Sequence, residues 1–189
     1  MKFEEVRRKA LEEYQAYFER FFDANDKEIR LIWETLNECM QFHVITIFPE
    51  VIESYINIGI LKRAIELKEK IQVITHNPRD FTHDAHQTVD DSPFGGGPGM
   101  VMKIEPIYET LEHIVKTYPS NKRLVIFFKA SGELFNQTLA REYAEDFDQI
   151  IFICGRYEGI DARVEKYLSH KAISIGQFVL TGGELPALI

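Results

Sequence analysis

The stretch Asp90-Asp91-Ser92-Pro93-Phe94-Gly95-Gly96-Gly97-Pro98-Gly99-Met100 decides how the rest of the chain is interpreted. Four of the 11 glycines in the chain fall between positions 95 and 99. Glycine costs backbone entropy in a helix or strand and proline removes a hydrogen-bond donor, so this stretch must be a loop. Phe94 and Met100 are not typical of a flexible linker. The composition therefore favours a shaped binding loop on a rigid scaffold over a linker.

Two later glycine clusters follow short apolar runs that are typical of buried strands. With residues 90–100 as the first glycine loop, Cys154–Asp161 is the second and Ile175–Glu184 is the third. In a parallel sheet, loops at the carboxyl ends of the strands meet at one edge, where α/β proteins bind their ligands. The three glycine loops together predict a nucleotide-like pocket. Neither the dinucleotide-binding glycine pattern nor the P-loop pattern occurs in the chain.

From Phe42 onward, apolar β-branched runs alternate with amphipathic stretches. Strands are predicted at 42–48, 71–75, 124–128, 150–154 and 172–175. Helices are predicted at 50–68 with a break at Gly59, at 105–117, at 134–143, at 158–168 and from 184. A long polar loop covers 76–100. This alternation predicts an α/β fold, with a mostly parallel sheet flanked by helices.

Residues 1–41 are predicted to form a helical appendage to a main domain over 42–189. Apolar residues from Val6 to Phe21 follow helical spacing, and Asp26 is placed to cap a second helix that carries Trp33 and Met40. The appendage is interpreted either as a docking element for a partner or as a segment that packs against the protein's own core.

Composition excludes several classes of protein. The 189 residues are 45% hydrophobic and 28% charged, as in an ordinary soluble domain. The sequence contains no apolar stretch long enough for a membrane span and no signal peptide, so no membrane partner is expected. Two cysteines give no disulfide framework and favour a reducing, cytoplasmic setting. The net charge of −8 argues against binding nucleic acid by bulk charge, but a local basic patch stays open.

The segment around His83 and His86 has the spacing of a metal-binding pair with carboxylates nearby. Zinc sites need a third and fourth ligand at suitable spacing, and the sequence supplies neither, so no metal site is predicted. A polar loop that contacts phosphates or a base is the preferred interpretation, with Arg79, Lys62 and Arg63 as donors.

Three residues in the second glycine cluster carry alternative interpretations. Glu158 is predicted to begin a helix, where it would either favour the helix dipole or hold a polar ligand edge or a cation. Arg156 would either bind a carboxylate or phosphate or be simply exposed. Cys154 is predicted to be a buried structural cysteine, because it closes an apolar strand without a catalytic partner at a known spacing.

A family resemblance then becomes visible in six motifs that occur in order from about Phe42 to the last residue. They are Ile45-Thr46-Ile47-Phe48-Pro49-Glu50, Pro78-Arg79-Asp80-Phe81-Thr82-His83-Asp84, Thr88-Val89-Asp90-Asp91, Gly95-Gly96-Gly97-Pro98-Gly99-Met100, Cys154-Gly155-Arg156-Tyr157-Glu158-Gly159-Ile160-Asp161 and Gly182-Gly183-Glu184-Leu185-Pro186-Ala187. The chain closely resembles the bacterial tRNA (guanine-N1)-methyltransferases, the TrmD branch of the SPOUT superfamily.

The resemblance implies a homodimer with a deep trefoil knot near the C-terminus that binds S-adenosyl-L-methionine. It further implies methyl transfer to N1 of the guanosine at position 37 of tRNA. Mg²⁺ dependence is also a trait of the family, and no ligands for it are assigned here. Removal of the N1 proton requires a base, and the developing charge on the guanine carbonyl oxygen requires stabilisation.

The resemblance also implies roles for particular residues. The cofactor-binding residues would be Phe128, Gly132, Gly155, Tyr157, Ile175, Gly176, Gln177, Phe178, Val179, Leu180, Gly182 and Gly183. The substrate-binding residues would be Asp91, Gly97, Pro98, Gly99 and Arg156. Glu158 is the catalytic candidate in this chain, since the family's proposed Asp base and its helper Arg would lie beyond Ile189.

The sequence departs from the family pattern at three places. The C-terminal tRNA-binding domain of the family has no counterpart here, so weak tRNA binding and poor turnover by the chain alone are expected. The segment Phe128–Glu133 replaces a proline-containing turn, which predicts a changed edge of the cofactor pocket. Residues 1–41 have no recognised counterpart. The alternative function is a non-catalytic, knotted, dimeric binding or scaffold module that docks a partner through residues 1–41.

Overall fold

The computed structural model describes residues 39–68 and 71–189. The predicted helices of the N-terminal segment lie outside the described residues, except at their end. Met40, which the sequence assigned to a helix, instead begins a strand, where it pairs with Ile71 and is 5% exposed. The first strand therefore starts two residues before the predicted domain boundary.

A five-stranded sheet forms the centre of the described part of the chain, and all its neighbouring strands are parallel. The strand order is β2-β1-β6-β5-β7, and β3 and β4 form a separate antiparallel ribbon. The strands are β1 (Met40–Ile45), β2 (Ile71–His76), β3 (Asp90–Asp91), β4 (Val101–Met102), β5 (Arg123–Leu134), β6 (Gln149–Ile153) and β7 (Lys171–Ser174). The prediction of a mostly parallel α/β sheet is confirmed.

Helices connect the strands and cover both faces of the sheet. The described helices are α1 (Pro49–Ile56), α2 (Gly59–Lys68), α3 (Ile104–Thr117), α4 (Gln137–Asp146), α5 (Ala162–Tyr167) and α6 (Glu184–Leu188), with a 3-10 turn at Pro78–Phe81. Proline in the first turn suits the start of α1 because its missing N–H would have no partner there. Gly59 has a φ of 66° at the start of α2, which confirms the predicted break.

Side chains alternate between two cores along the central strands. Ile151 and Ile153 of β6 join one cluster with α3 and α5, and Ile150 joins a second cluster with α4. A third cluster on β1 and β6 packs against α1 and α6. Since β6 is buried on both faces, its continuous apolar sequence is what a central parallel strand requires.

Two predicted helices begin three or more residues later in the structure. The helix predicted to start at 158 begins at Ala162, because the Asp161 carboxylate accepts a hydrogen bond from the Arg163 N–H (2.9 Å) and caps α5. The helix predicted at 134–143 begins at Gln137, because the Asn136 side chain caps α4 through the Thr138 N–H (2.9 Å). In both places a capping side chain decides where the helix starts.

A buried polar cluster lies on the first two strands. His43 is fully buried; its Nδ1 lies 2.9 Å from His76 Nε2, and its Nε2 lies 3.3 Å from Gln149 Nε2. Burial, followed by the positive fields of His76 and Arg123, lowers the pKa of His43 to about 4. Burial and His113 lower the pKa of His76 to about 4. Both rings are therefore neutral at pH 7.

Candidate cofactor and substrate site

The second and third glycine loops meet at the carboxyl end of β6. The Gly183 N–H donates a hydrogen bond to the Gly155 carbonyl (3.1 Å). A Cβ added at Gly183 would lie 2.6 Å from Cys154 Cα, which is closer than real Cβ atoms approach. Only glycine therefore permits this backbone contact, and the nucleotide-like pocket that the sequence predicts here stays a prediction.

The first glycine loop joins the second through Gly99 and Glu158. Gly99 has a φ of 91°, and the Glu158 side chain lies directly against its Cα. The Glu158 N–H donates to the Met100 carbonyl (3.0 Å), and the Asp161 N–H donates to the Met102 carbonyl (3.0 Å). The structure thus brings together two of the predicted site residues that are 59 positions apart in the numbering.

Glu158 is exposed in the loop before α5, so the interpretation as a helix-start carboxylate is wrong. Gly159, with a φ of 143°, separates it from the capped helix. The carboxylate is left beside Gly99, at the junction of the first two glycine loops. Its functional role stays a prediction.

Tyr157 adopts a backbone conformation that side chains rarely take, with a φ of 61°. Such a residue costs about 1–2 kcal/mol and needs surrounding contacts to hold it. The Arg79 Nη2 lies 3.4 Å from the Tyr157 hydroxyl, and Arg79 Nη1 donates to the Gln87 carbonyl (2.9 Å). Arg79, one of the predicted donors, therefore joins the polar loop to the second glycine loop.

Lys62 and His83 have partners outside this site. The His83 Nε2 lies 3.0 Å from a carboxylate oxygen of Glu109, and Lys62 forms an ion pair with Glu66 at 3.7 Å. Within residues 39–68 and 71–189, no group of three or more His, Cys, Asp or Glu side chains is placed to hold a metal ion.

Arg156 is held by the third glycine loop. Its Nη2 lies 2.9 Å from Glu184 Oε2, and its Nη1 donates to the Thr181 carbonyl (3.4 Å). Its Cζ stands 4.7 Å from the centre of the Phe48 ring, a cation–π contact. Its assignment as a substrate-binding residue stays a prediction, and the contacts that the structure shows are with Glu184, Thr181 and Phe48.

The sequence missed the residues that hold Arg156. Glu184 and Thr46 were visible in the motifs, but nothing in their spacing assigned them a role. Glu184 is 1% exposed, and its Oε1 accepts a hydrogen bond from the Thr46 hydroxyl (2.6 Å). The carboxylate in the last motif would indicate a positioning role only if its burial were known.

The loop after β7 presents predicted cofactor-binding residues at the surface. Ser174 Oγ donates to the Gly176 carbonyl (2.9 Å) and accepts from its N–H (3.3 Å), which closes a tight turn. The Phe178 ring covers Gly176 and leaves no room for a Cβ there. Phe178 and Val179 are 54% and 87% exposed, so the loop has apolar side chains free to cover a ligand.

The altered segment after Phe128 forms an excursion within β5. Phe128 and Glu133 both pair with Ile173 of β7, so the residues between them leave the ladder. A Cβ at Gly132 would lie 2.6 Å from the Ala172 carbonyl oxygen, which makes glycine necessary where the chain returns. Strand pairing therefore continues to Leu134, beyond the predicted end at 128.

The remaining predicted substrate residues lie in the exposed first loop. Asp91 accepts a hydrogen bond from the Ser92 N–H (2.7 Å), and Gly97 has a φ of 112°. Asp91, Gly97 and Pro98 are exposed.

Cys154, by contrast, is 1% exposed, and burial raises the pKa of its thiol well above the ordinary value. The prediction of a buried structural cysteine is confirmed.

A parallel α/β sheet whose glycine loops meet at the carboxyl end of a central strand has the architecture in which α/β proteins bind nucleotide-type ligands. Residues 40–189 match the family model described as tRNA (Guanine-1)-methyltransferase TrmD. The chain belongs to this family.

Relatives and a solved structure agree with that membership. The tRNA (guanine-N(1)-)-methyltransferase of Clostridioides difficile (strain 630) is 49% identical over 150 residues, which are 79% of this chain and 64% of the relative. That of Dehalococcoides mccartyi (strain ATCC BAA-2100 / JCM 16839 / KCTC 5957 / BAV1) is 47% identical over 79% of this chain and 59% of its own length. The crystal structure of tRNA (m1G37) methyltransferase from Aquifex aeolicus is similar with a TM-score of 0.71 at 44% identity, over 80% of this chain and 66% of that chain. This chain thus spans less than two thirds of the length of these proteins.

Proposed function

We propose that residues 40–189 form a methyltransferase core that binds S-adenosyl-L-methionine at the meeting point of the second and third glycine loops. The parent activity is methyl transfer to N1 of the guanosine at position 37 in tRNA. The contact of Gly183 with Cys154 and Gly155 carries the proposal, because it builds a backbone-lined edge at the carboxyl end of β6, where α/β proteins bind their ligands. The family membership and the names of the relatives support the reaction.

The residues present fit a nucleoside-containing cofactor. Glycine at 132 and 183 lets backbone segments approach more closely than any side chain permits, so carbonyl and N–H groups can face a ligand directly. The exposed Phe178 and Val179 supply apolar cover for a base and a thioether. The proposed cofactor set also includes Phe128, Gly155, Tyr157, Ile175, Gly176, Gln177, Leu180 and Gly182. The cofactor supplies an electrophilic methyl group on a sulfonium.

The first glycine loop is proposed to face the target base. Asp91, Gly97, Pro98 and Gly99 line this face, and Glu158 stands where that loop meets the second one. As the bond from N1 to the methyl carbon forms, the N1 proton must leave to a base. Glu158, which lies against Gly99, is the carboxylate that we propose holds the guanine edge and accepts this proton. No Mg²⁺ ligands are proposed.

Assembly completes the proposal. Exposed apolar side chains occur on Phe48, Tyr55, Ile58 and Leu185, around α1 and α6, which supports a homodimer built on that surface.

The deep trefoil knot and the division into a 1–41 extension and a 42–189 domain are proposed on the resemblance. The tRNA substrate implies a cytoplasmic location. Within the described residues, no helix has the length and hydrophobicity of a membrane span.

Calorimetric titration of the purified chain with S-adenosylhomocysteine, the demethylated product, tests cofactor binding. We expect saturable binding near one per protomer with a Kd in the micromolar range. The Gly95→Ala variant should bind with the same Kd, since Gly95 is exposed and a Cβ there would meet no described atom within 4 Å. No binding would contradict the proposal and favour a non-catalytic scaffold module.

Methyl transfer is tested with labelled S-adenosylmethionine and two tRNAs that differ only at position 37. Label should enter the tRNA with guanosine at this position, at the low rate expected of the chain alone, and not the one with adenosine. Label in both, or at another nucleotide of the first, would assign the pocket to a different RNA reaction.

A further inference from the structure

Glu184 is a charged group with almost no exposure to water. It begins α6, and its side chain is 1% exposed. A buried carboxylate is costly unless it is paired and hydrogen-bonded. Oε1 accepts a hydrogen bond from the Thr46 hydroxyl at 2.6 Å, whereas Oε2 lies 2.9 Å from Arg156 Nη2 in an ion pair that lacks hydrogen-bond geometry. The three residues are called the Thr46–Glu184–Arg156 cluster below.

The members of the cluster come from three separate strand ends. Thr46 follows β1 directly, Arg156 follows β6 by three residues, and Glu184 ends the long loop after β7. The cluster therefore connects residues 138 positions apart in sequence. Because β1 and β6 are neighbours in the sheet, their ends give the loop after β7 a rigid attachment.

The direction of the hydrogen bonds is fixed at Thr46. Its hydroxyl oxygen accepts from the Phe48 N–H at 3.0 Å, so the hydroxyl proton is available to Glu184. Thr46 is fully buried, and its own N–H donates to the His76 carbonyl at 3.0 Å. Valine has nearly the shape of threonine but supplies no proton, so it would leave Glu184 short of a donor.

The cluster lies directly beneath the backbone of the third glycine loop. A Cβ at Gly182 would lie 2.5 Å from Glu184 Oε2 and 2.6 Å from Arg156 Cζ. Arg156 Nη1 also donates to the Thr181 carbonyl at 3.4 Å. A shift of the Glu184 carboxylate would therefore move the backbone of Thr181, Gly182 and Gly183 with it.

We propose that the Thr46–Glu184–Arg156 cluster positions the Thr181–Gly183 backbone for cofactor binding. Arg156 is then a positioning residue that acts through Glu184 and Thr181, in place of a direct contact with a substrate phosphate. The proposal rests on cofactor binding at this loop. It adds Thr46 and Glu184 to the residues that the cofactor affinity depends on.

Three variants of comparable size test the role of the hydroxyl. Thr46→Val removes the donor to Glu184, and Thr46→Ser keeps it while removing the methyl group. Thr75→Val is the matched control, because it removes the hydrogen bond from the Thr75 hydroxyl to Glu53 Oε1 (3.0 Å) on the neighbouring strand β2. The Kd for S-adenosylhomocysteine is measured by calorimetry well below the melting temperature of each variant.

We expect Thr46→Val to weaken S-adenosylhomocysteine about tenfold, the effect of one hydrogen bond to a charged group. Thr46→Ser should restore most of the affinity, and Thr75→Val should bind like the parent chain. If threonine 46 served only to fill space, serine would weaken binding at least as much as valine. That order, or unchanged affinity in Thr46→Val, would overturn the proposal.

Amide hydrogen exchange separates this proposal from the proposed function. Exchange of the Gly183 N–H, which bonds the Gly155 carbonyl, should rise about tenfold in Thr46→Val and stay near the parent rate in Thr46→Ser. This measurement needs no cofactor. If the parent chain fails to bind S-adenosylhomocysteine, cofactor binding at the loop is wrong, whereas unchanged exchange in Thr46→Val would sink the cluster itself.

Discussion

The first and third glycine loops both contain adjacent glycines but need them for different reasons. In the first, a Cβ at Gly95, Gly96 or Gly97 would meet no described atom within 4 Å. In the third, a Cβ at Gly183 would lie 2.6 Å from Cys154 Cα. The denser run, Gly95-Gly96-Gly97, is thus the more open one. Gly96 and Gly97 provide backbone conformation in the first loop, whereas Gly183 provides room for close approach in the third.

This difference teaches that glycine density in a sequence is not a measure of structural constraint. The triple glycine attracts notice first, yet two of its members are needed only for positive φ, at 72° for Gly96 and 112° for Gly97. The pair at Gly182 and Gly183 is shorter, but it lies against the end of β6 and the buried Glu184. Substitution by alanine distinguishes the two uses.

The largest effect is expected for Gly183→Ala. The added methyl group would collide with backbone atoms of Cys154 and Gly155, which cannot rotate away as a side chain can. We expect a loss of about 3 kcal/mol in the free energy of unfolding, or failure to fold. Urea denaturation followed by circular dichroism measures it. A loss below about 0.5 kcal/mol would remove the distinction between the two loops.

Acid is expected to destabilise the sheet that carries both loops, and the size of this effect is a reference for the glycine substitutions. The pKa values of His43 and His76 are about 4 in the fold and have an ordinary value of 6.5. The unfolded chain therefore binds protons first, and stability present above pH 6.5 is lost as pH falls towards 4. Between pH 7 and pH 5 we expect a loss of about 2 kcal/mol or more in the free energy of unfolding.

Two histidine variants check the source of this pH dependence. His43→Gln should lower stability at pH 7 but flatten the decline from pH 7 to pH 5 by about half, since one of the two buried rings is gone. His86→Gln removes an exposed histidine and is the matched control. Equal pH slopes in the two variants would place the effect outside the buried pair.

A smaller effect is expected for Gly96→Ala in the first loop. The residue has a φ of 72°, which costs an alanine about 1 kcal/mol, although the added methyl group meets no described atom within 4 Å. The free energy of unfolding should fall by that amount, without the collapse expected at Gly183. A loss as large as that of Gly183→Ala would show that the first loop is packed as tightly as the third.

The smallest effect is expected for the adjacent Gly95→Ala. Its φ is not in the left-handed region, and its surroundings within the described chain are open. Alanine also reduces the freedom of the unfolded chain, so the change should lie within about 0.5 kcal/mol of zero, with stabilisation the expected sign. The contrast between neighbours 95 and 96, in the same denaturation experiment, isolates backbone conformation from packing.

The sequence predicted the elements that depend on local pattern. The five main strands follow from apolar runs, and the helix break at Gly59 follows from glycine itself. The two-residue strand Asp90–Asp91 was missed because it is polar and pairs only with Val101–Met102. The early start predicted for α5 failed because the Asp161 side chain, and not Glu158, caps the helix.

The site was predictable only as far as each glycine loop could be interpreted alone. The sequence placed three loops at strand ends, but it could not show that Gly99 receives the Glu158 side chain. The bond between Thr46 and Glu184 spans 138 positions and involves ordinary residues, so no local signal exists for it. Contacts of this kind depend on strand order, which puts β1 beside β6.

That strand order also has a consequence during synthesis. β1 pairs with β6 along one whole side, and the side-chain bond between Gln41 and Gln149 spans 108 positions. At translation rates of about 5 to 20 residues per second, β1 waits roughly 5 to 20 s for this partner to be made. During that time one edge of an apolar strand has no native neighbour and is a template for pairing with another chain. The nascent protein is therefore a candidate client for chaperones that bind apolar segments at the ribosome.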